Sequence, residues 1–397
     1  MYDVIVVGAR CAGAPTAMLL ARSGYRVLLL ERATFPRDTL STHYIHQPGV
    51  ARLASWGLLD AVAASGCPPL DQAVYEVADV RLTGCSVAVE GQRAAYAPRR
   101  HVLDRILADG AVASGAELRE GCSVVGLLRD DDGRVCGVRC RSSLGGEFEE
   151  RARLVVGADG MRSAVARLAG AAPVIEDPRL TCVYYTYWTD VPATFELYEA
   201  PGRWVGAAPT NDGATCVAAY FPQGEFETVK ADVEKAYLEN IRATAPDMYE
   251  RLRSGRRAER MYGTGDQQNF FRQAHGPGWV LVGDAGHHKD SITARGITDA
   301  FFQAELLAGL VVQVGADLHD EAALTRALHR YGRERDRQLA EIYENTLIVA
   351  RLEVQEQSLA MLRAIASDPE TVQRYFSTVA GACSIRELYT EELLSRL

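Results

Sequence analysis

The first thirty residues combine two short apolar runs with a helical pattern between them. Residues 4–7 form a continuous β-branched run that ends at Gly8, as expected of a buried parallel strand followed by a tight turn. From Ala14 to Ser23 the apolar positions follow a helical period, and residues 26–30 form the second run, which ends at Glu31. The pattern predicts a βαβ unit.

Two later apolar runs, residues 154–156 and 279–282, each lead into a glycine and then an aspartate. The first run is followed by Gly157-Ala158-Asp159 and the second by Gly283-Asp284. Open α/β sheets bind ligands beyond the carboxyl ends of their strands, so both aspartates are candidate binding residues.

The stretch from residue 173 to residue 275 has a different pattern. Aromatic and β-branched residues dominate residues 181–188 and 195–221, and turn signals at residues 201–202 and 211–213 interrupt them. An antiparallel sheet is predicted, to which residues 67–95 contribute. After residue 320 the pattern becomes helical and charged.

These patterns predict an α/β chain, α+β overall, with three parts. A Rossmann-like parallel-sheet domain takes residues 1–66, 96–172 and 276–345, and an antiparallel-sheet domain takes residues 67–95 and 173–275. Residues 346–397 form a C-terminal helical segment, expected to pack on the parallel-sheet domain or on a second subunit.

Composition narrows the class of protein. The net charge of −9 argues against nucleic-acid partners. The nine cysteines contain no C-x-x-C pair, which indicates buried thiols in a reducing compartment and no metal site. The amino terminus lacks the features of a signal peptide, and the apolar runs fall short of the roughly 18 residues of a membrane span. We therefore expect a soluble, cytoplasmic protein.

The turn after the first strand, residues 8–13, is a variant of the dinucleotide fingerprint G-x-G-x-x-G. Gly8 permits the tight turn, Gly13 permits close packing of helix and strand, and Glu31 is placed to bind a ribose hydroxyl. Arg10 replaces the middle glycine, so its guanidinium either lies beside a diphosphate or widens the turn. The alternative is an ordinary crossover whose glycines serve packing alone.

Together these motifs resemble the FAD-dependent aromatic hydroxylases, the group A flavin monooxygenases, and their relatives the geranylgeranyl reductases and flavin halogenases. Residues 157–163 resemble the family's G-A-D-G-x-x-S segment, and residues 283–287 resemble G-D-A-x-H. Residues 100–104 are similar to its R-x-x-L-D helix start, and residues 35–37 to a segment of the reductases and halogenases. The resemblance covers roughly residues 1 to 310.

The resemblance implies bound FAD and a set of residues that contact it. Asp284 would bind the ribityl chain, Asp159 would support the flavin, Arg100 would contact the phosphates, and the helix after Asp284 would point its amino terminus at the isoalloxazine. The full implied set is Gly8, Arg10, Cys11, Ala12, Gly13, Glu31, Arg32, Arg37, Arg100, Val124, Asp159, Gly283, Asp284, Arg295, Gly296 and Ile297. The family's loop proline and one of its glycines are missing around residues 291–298.

Candidate catalytic residues come from two segments. His43 and His46 lie where the family's chain passes near the flavin ring, and the usual histidine pKa suits proton transfer near neutrality. Tyr185 and Tyr187 lie on the sheet that would cover the flavin, with Trp188, Trp204 and Tyr220 as further candidates for lining an apolar pocket. The alternative for these aromatic residues is an ordinary core, and His287 and His288 are expected to be structural.

The function that the resemblance implies is that of an FAD-dependent monooxygenase. It would hydroxylate or epoxidise an apolar or aromatic small molecule, such as a secondary metabolite, through a flavin hydroperoxide, with NAD(P)H as reductant and dioxygen as co-substrate. The alternatives are a reductase or dehydrogenase of the geranylgeranyl reductase type and a non-catalytic flavin-binding sensor. The halogenase segment G-W-x-W-x-I-P is absent. A homodimer and a separate flavin reductase are further alternatives for partners.

Overall fold

The computed structural model describes residues 1–315 and 318–396. The predicted domain ranges 276–345 and 346–397 include residues 316, 317 and 397, which lie outside the described residues. The strands, numbered in chain order, are β1 (Tyr2–Val7), β2 (Val27–Leu30), β3 (Ala73–Val77), β4 (Val80–Gly84), β5 (Glu117–Arg119), β6 (Cys122–Arg129), β7 (Val135–Ser142), β8 (Glu147–Gly157), β9 (Pro173–Asp177), β10 (Thr181–Thr189), β11 (Phe195–Ala200), β12 (Arg203–Pro209), β13 (Ala214–Pro222), β14 (Arg256–Arg257), β15 (Tyr262–Thr264), β16 (Asn269–Arg272), β17 (His275–Gly276), β18 (Trp279–Leu281) and β19 (His287–His288).

The α-helices are α1 (Gly13–Arg22), α2 (Gln47–Ser55), α3 (Leu59–Ala64), α4 (Arg100–Ala113), α5 (Ala164–Ala169), α6 (Phe226–Ala231), α7 (Val233–Thr244), α8 (Pro246–Ser254), α9 (Gly296–Val312), α10 (Glu321–Ala350), α11 (Glu356–Ala366), α12 (Pro369–Ala380), α13 (Ile385–Leu388) and α14 (Glu391–Leu394). Short 3-10 helices occur at Asn211–Gly213, Gln223–Glu225, Gly283–Ala285 and Ser291–Thr293.

The predicted βαβ unit is confirmed and forms the centre of the first sheet, whose main order is β17-β18-β8-β1-β2-β5. Strands β1 and β2 are parallel, with Val4 opposite Val27, and α1 connects them. The β-branched run is inaccessible to solvent, as expected of a strand covered by helices and a second layer.

Strands β1, β8 and β18 are parallel and end at the same edge of this sheet. Val7 lies opposite Gly157, and Gly157 lies opposite Leu281. The register brings three segments together at that edge: the turn after β1, the loop that holds Asp159, and the loop that holds Asp284. The predicted position of each aspartate just past the carboxyl end of a strand is confirmed, and the structure adds that the two strands end at one edge.

The second sheet has the order β14-β10-β13-β12-β11-β3-β4, with β15 beside β10. Its strands are antiparallel except for β11 and β3, which run parallel with Phe195 opposite Ala73. Residues 67–95 do contribute strands, as predicted. Because β3 comes from a distant segment, no hairpin turn fixes its direction against β11.

The C-terminal helices α11 and α12 pack against β4 of the second sheet. Leu362 and Phe376 share one buried apolar cluster with Tyr75 and Trp204 of that sheet. The segment also contacts the parallel-sheet domain, where Arg295 donates to the carbonyl of Ala380 and Glu341 accepts from the N–H of Ile385 at 2.8 Å. Packing on the second sheet was not predicted, and it arises because the apolar faces of these helices complement the aromatic face of that sheet. Helix α10 continues without a break through residue 345, where the sequence analysis placed a boundary.

Among the described residues, no helix combines the length and apolar character required to cross a bilayer. All nine cysteines are free thiols, and Cys85, Cys136 and Cys383 are half-buried where burial was expected. The described part of the chain contains no cluster of histidine, cysteine and carboxylate side chains that could hold a metal ion.

Candidate functional site

The turn after β1 requires glycine at both ends. Gly8 has a φ of +98°, and a Cβ there would lie 2.4 Å from the carbonyl oxygen of Ala158. A Cβ at Gly13 would lie 1.8 Å from the carbonyl oxygen of Gly8. Within the described chain no side chain caps the amino terminus of α1, whose first turn has no acidic residue. This end of the helix can therefore receive an anionic group.

Glu31 fixes the same turn from the end of β2. It is buried, and its two carboxylate oxygens accept hydrogen bonds from the backbone N–H groups of Ala9 and Ala33, each at 3.0 Å. A carboxylate offers about four acceptor positions, so these two bonds leave capacity for a ribose hydroxyl.

Asp104 joins the two arginines that the sequence assigns to phosphate. Its fully buried carboxylate accepts hydrogen bonds from Arg10 Nη1 at 2.9 Å and Arg100 Nε at 3.0 Å. Arg10 Nε lies 3.9 Å from Glu31. The protein therefore holds Arg10 at the turn, and the guanidinium retains further N–H donors that a ligand could use. The sequence analysis treated Asp104 only as part of a motif, since the ion pair with Arg10 spans 94 positions.

The two motif aspartates have opposite environments. Asp159 accepts hydrogen bonds from Ser163 Oγ at 2.5 Å and from the N–H groups of Ala164 and Val165 at 2.6 and 3.2 Å, at the start of α5. Burial raises the pKa of Asp159, and these hydrogen bonds oppose that shift. Asp284 is half-buried, and within the described residues its carboxylate has no hydrogen bond or salt bridge. Only Asp284 is therefore open to a ligand.

The amino terminus of the 17-residue helix α9 is open. Its first residue, Gly296, is exposed, and a Cβ there would meet no atom within 4 Å. The next residue, Ile297, is buried. The guanidinium of Arg295 turns away from this end and donates to the carbonyl of Ala380 and to Asp299, the latter at 3.1 Å. A ligand could therefore reach the backbone of Gly296 more readily than the side chain of Arg295.

Two longer-range hydrogen bonds fix the loop that holds Asp284. Gln303 accepts from the N–H of Gly283 at 2.9 Å, and the Tyr331 hydroxyl donates to the carbonyl of Leu281 at 2.9 Å. The remaining predicted contacts differ in exposure. Cys11, Ala12 and Val124 are buried, whereas Arg32 and Arg37 are exposed after β2.

Three of the four candidate catalytic residues lie together. His43 Nε2 is hydrogen-bonded to the Tyr187 hydroxyl, and the His43 ring meets Tyr185 edge-on at a centroid distance of 6.4 Å. The Tyr185 hydroxyl accepts from the N–H of Ser41 at 3.2 Å. His46 lies apart, where its Nε2 lies 3.3 Å from the carbonyl oxygen of Thr293.

Burial changes the proton chemistry of both histidines. It lowers the pKa of His43 and of His46 to about 3, because a buried imidazolium lacks the hydration it has in water. Both rings are therefore neutral at physiological pH. The sequence argument from the ordinary histidine pKa does not apply to either ring.

Arg99 is a site residue that the sequence analysis missed. Its guanidinium carbon lies 3.8 Å from the ring centroid of Tyr187, and its nitrogens bond Asp38 and Glu259 at 2.7 Å each. Two adjacent arginines at the start of α4 were the available signal. They diverge in the structure, since Arg99 lies on the aromatic cluster while Arg100 bonds Asp104.

The second sheet separates the other aromatic candidates by face. Trp204 and Tyr220 share the apolar cluster of Tyr185 and Tyr187. Trp188 packs in the cluster on the opposite face and donates to the Tyr237 hydroxyl at 3.1 Å, so its assignment to the pocket was wrong. Alternation of side chains along β10 explains the difference.

His287 packs against Phe271 at a ring distance of 4.3 Å, and the His288 Nδ1 is hydrogen-bonded to the Gln268 carbonyl.

Comparisons with known proteins agree with this arrangement. The profile of the FAD binding domain family matches residues 1–346. The digeranylgeranylglycerophospholipid reductase of Methanocella arvoryzae is 29% identical over 346 residues, which cover 84% of this chain and 82% of the relative. The rifampicin monooxygenase of Streptomyces venezuelae is 28% identical over 421 aligned positions, with 100% and 82% covered.

Solved structures support the fold. A flavin-dependent brominase superposes with a TM-score of 0.82 at 17% identity, and the superposition covers 100% of this chain and 97% of the brominase. At that identity the likeness concerns the fold alone. The family match instead extends over both loops that hold the motif aspartates and over the start of α9. The chain therefore belongs to the FAD binding domain family of FAD-dependent oxidoreductases.

Proposed function

We propose that this chain is an FAD-dependent monooxygenase that inserts one oxygen atom of dioxygen into an apolar or aromatic small molecule, with NAD(P)H as reductant. The observation that carries the proposal is the buried site where His43 meets Tyr185 and Tyr187, two residues of the large apolar cluster on one face of the second sheet. Oxygen transfer to carbon requires such enclosure, because water competes for reactive species.

The proposed FAD contacts follow from the groups that the fold leaves open. Gly8, Ala12 and Gly13 would bring the backbone and the amino terminus of α1 to the diphosphate, and Arg10 and Arg100 would add positive charge. The resemblance adds Cys11, Arg32, Arg37 and Val124 to the set. It also adds Arg295, which could contribute only its backbone because its guanidinium is bonded to Ala380 and Asp299. The unpaired carboxylate of Asp284 and the open start of α9 are what a bound ribityl chain and flavin ring would require.

Two further contacts complete the proposal. Glu31 would hold the ribose, while Asp159 would act through the loop that it fixes. Gly283 would shape the turn before Asp284, with the amides of Gly296 and Ile297 facing the ring. Bound FAD would supply electron transfer and oxygen activation. The chain itself would bind, orient and shield the reactants.

A second candidate is a reductase that acts without oxygen insertion. The observation that favours it is the likeness to a digeranylgeranylglycerophospholipid reductase over 84% of this chain. In that case the enclosed aromatic surface would hold an unsaturated apolar chain.

Isotope labelling separates the two candidates. Compounds that raise the thermal stability of the FAD-loaded protein are incubated with NADPH or NADH under isotopically heavy dioxygen, and the products are analysed by mass spectrometry. A monooxygenase gives a product with one heavy oxygen atom. A product that is formed without dioxygen and has gained two hydrogen atoms contradicts the proposal and supports the reductase. The Tyr198→Phe variant, which changes a buried tyrosine on the other face of the sheet, serves as a control and should form the same product as the wild-type protein.

A further inference from the structure

The imidazole of His43 has one polar atom without a partner. Nε2 is hydrogen-bonded to Tyr187, but Nδ1 is buried and has no hydrogen-bond partner in the described part of the chain. A buried polar atom that lacks a hydrogen bond destabilises the folded protein, because it has given up its hydration without compensation. A partner from outside the chain would remove this cost.

The surroundings decide which nitrogen of His43 holds the proton. If the Tyr187 hydroxyl donates to Nε2, the proton of the neutral ring lies on Nδ1 and only that N–H lacks a partner. The opposite tautomer would leave both the Tyr187 O–H and the Nδ1 lone pair unsatisfied. The Arg99 cation over the ring of Tyr187 also makes the hydroxyl a better donor. Both arguments favour the Nδ1–H tautomer.

Several contacts hold this arrangement in place. Arg99 is buried and anchored on both sides, by Asp38 and by Glu259. The backbone of His43 adopts a left-handed conformation with a φ of 64°, and its N–H donates to Ser41 Oγ at 3.0 Å. A non-glycine residue in this conformation is uncommon and persists where its surroundings impose it. The direction of the Nδ1–H is therefore fixed before any ligand binds.

His43 also lies between the two functional halves of the molecule. Its ring contacts Tyr185 and Tyr187 on the second sheet. The same segment reaches the proposed FAD site three residues later, where the N–H of His46 donates to Thr298 Oγ1 in the first turn of α9 at 3.1 Å. A molecule between the aromatic face and the FAD site would meet this N–H.

We propose that the Nδ1–H of His43 donates a hydrogen bond to an oxygen atom of the organic substrate. The site would then select apolar or aromatic molecules that have a hydroxyl or carbonyl oxygen, and Tyr187 and Arg99 would act as positioning residues that fix the tautomer. The inference rests on the proposed function for the position of the substrate. It does not depend on whether oxygen is inserted.

The tautomer is tested first, by ¹⁵N NMR of the FAD-loaded protein labelled at histidine. The His43→Gln variant identifies the signal. The expected result is a neutral Nδ1–H tautomer at about pH 7, and a mixture of tautomers in Tyr187→Phe. An Nε2–H tautomer or an imidazolium in the wild-type protein would overturn the inference.

The oxygen contact is tested with two isosteric probes, 4-methylphenol and 1,4-dimethylbenzene, which differ by a hydroxyl in place of a methyl group. The wild-type holoprotein is expected to bind the phenol about tenfold more tightly, the effect of one buried hydrogen bond. This preference should fall severalfold in Tyr187→Phe and Arg99→Met, and should disappear in His43→Leu. The matched control Tyr198→Phe should keep it.

Three results would contradict the proposal. They are equal affinity of the wild-type protein for the two probes, failure to bind either, and an unchanged preference in His43→Leu. A His43 signal that shifts when FAD is added to the apoprotein, and not when 4-methylphenol follows, would assign the acceptor to the cofactor and also overturn it. Loss of oxygen insertion with an intact preference would refute only the proposed monooxygenase activity.

Discussion

At the scale of single residues, the charged groups at the sheet edge divide into saturated and open ones. Asp159 satisfies three donors at the start of α5, and Asp104 satisfies two guanidinium groups. Asp284 has the same type of side chain and a similar place after a strand, yet no donor meets it within the described residues. Its unmet hydrogen-bonding capacity is what a cofactor hydroxyl would use.

Substitution of the two motif aspartates should therefore have different effects. Asp284→Ala should weaken FAD binding by roughly tenfold to a hundredfold, with little change in the stability of the apoprotein, because the lost contact is to the ligand. Asp159→Ala removes a helix-terminal hydrogen-bond acceptor and should lower apoprotein stability by about 1 kcal/mol, with a smaller effect on FAD. Titration with FAD and urea unfolding of both apoproteins measure the two quantities. Equal loss of FAD affinity in the two variants would refute the assignment.

Arg10 provides a second prediction at this scale. Its guanidinium is held by Asp104 and lies 5.8 Å from the ring centroid of Phe35, which keeps it at the turn. We expect it to contact the FAD diphosphate, so Arg10→Gly should weaken FAD binding by about 1 to 3 kcal/mol, although it restores the usual fingerprint.

The FAD dissociation constant of both proteins at low and high salt checks this expectation. The control is Arg26→Gly, an exposed arginine at the opposite end of β2. The difference between wild-type protein and Arg10→Gly should shrink at high salt, because screening weakens charge contacts. Unchanged or tighter binding by Arg10→Gly would show that the guanidinium has no role in binding.

At the scale of elements, the 3-10 helix Ser291–Thr293 links the Asp284 loop to α9. Asp290 caps it, accepting hydrogen bonds from the N–H of Ile292 at 3.1 Å and from Thr181 Oγ1 at 2.7 Å. The second bond joins this turn to the first residue of β10. The segment that lacks the family's proline is thus fixed to the second sheet by a buried carboxyl group.

Burial raises the pKa of Asp290 from its usual 3.8 to about 6. The folded state then holds this proton more tightly than the unfolded state does. The contribution of Asp290 to stability is therefore greatest below the unfolded pKa and declines as pH rises through the folded pKa, by on the order of 3 kcal/mol in total.

Urea unfolding of the apoprotein between about pH 4 and pH 7 tests this sign. The stability of the wild-type protein relative to Asp290→Asn should fall as pH rises through this window, since asparagine does not ionise. The Asp131→Asn variant is the control, because Asp131 is exposed and its substitution measures the general effect of removing one negative charge. A difference that rises with pH would contradict the prediction.

Some elements could be predicted from sequence because their information is local. The βαβ unit is contiguous, so the apolar patterns that predict its two strands and its helix all lie within the first thirty residues. The parallel pairing of β11 with β3 and the packing of α12 on β4 join segments that are far apart in the chain, and local periodicity does not specify such partners. Arg99 was missed for the same reason, since its partners Asp38 and Glu259 lie 61 and 160 positions away.

At the scale of the whole molecule, the chain combines a net charge of −9 with a local concentration of arginine. Arg10, Arg99 and Arg100 lie at or beside the start of α4, close to the uncapped amino terminus of α1. Because Asp104, Asp38 and Glu259 neutralise these guanidinium groups, we expect a diphosphate to be bound by their remaining N–H donors and by the helix terminus, while the net negative charge of the molecule repels polyanions.

The second sheet and the C-terminal helices complete this arrangement. Helices α11 and α12 cover part of the aromatic face, and Tyr220 on that face is hydrogen-bonded to Ser291, just before α9, at 3.0 Å. The ring of His43 packs against Tyr187 of the same face. The overall architecture thus places a buried apolar face beside the edge at which we propose that FAD binds, and the proposed oxygen transfer would require this arrangement.

The central claim is that this chain holds FAD through its parallel-sheet edge. Its most direct test is to identify and quantify the flavin that heat releases from the purified protein, before and after incubation with an equal mixture of FAD and FMN. We expect FAD at about one per chain after incubation, because Glu31 and the turn from Gly8 to Gly13 would bind the adenosine half that FMN lacks. Release of FMN alone, or of no flavin after incubation, would contradict it.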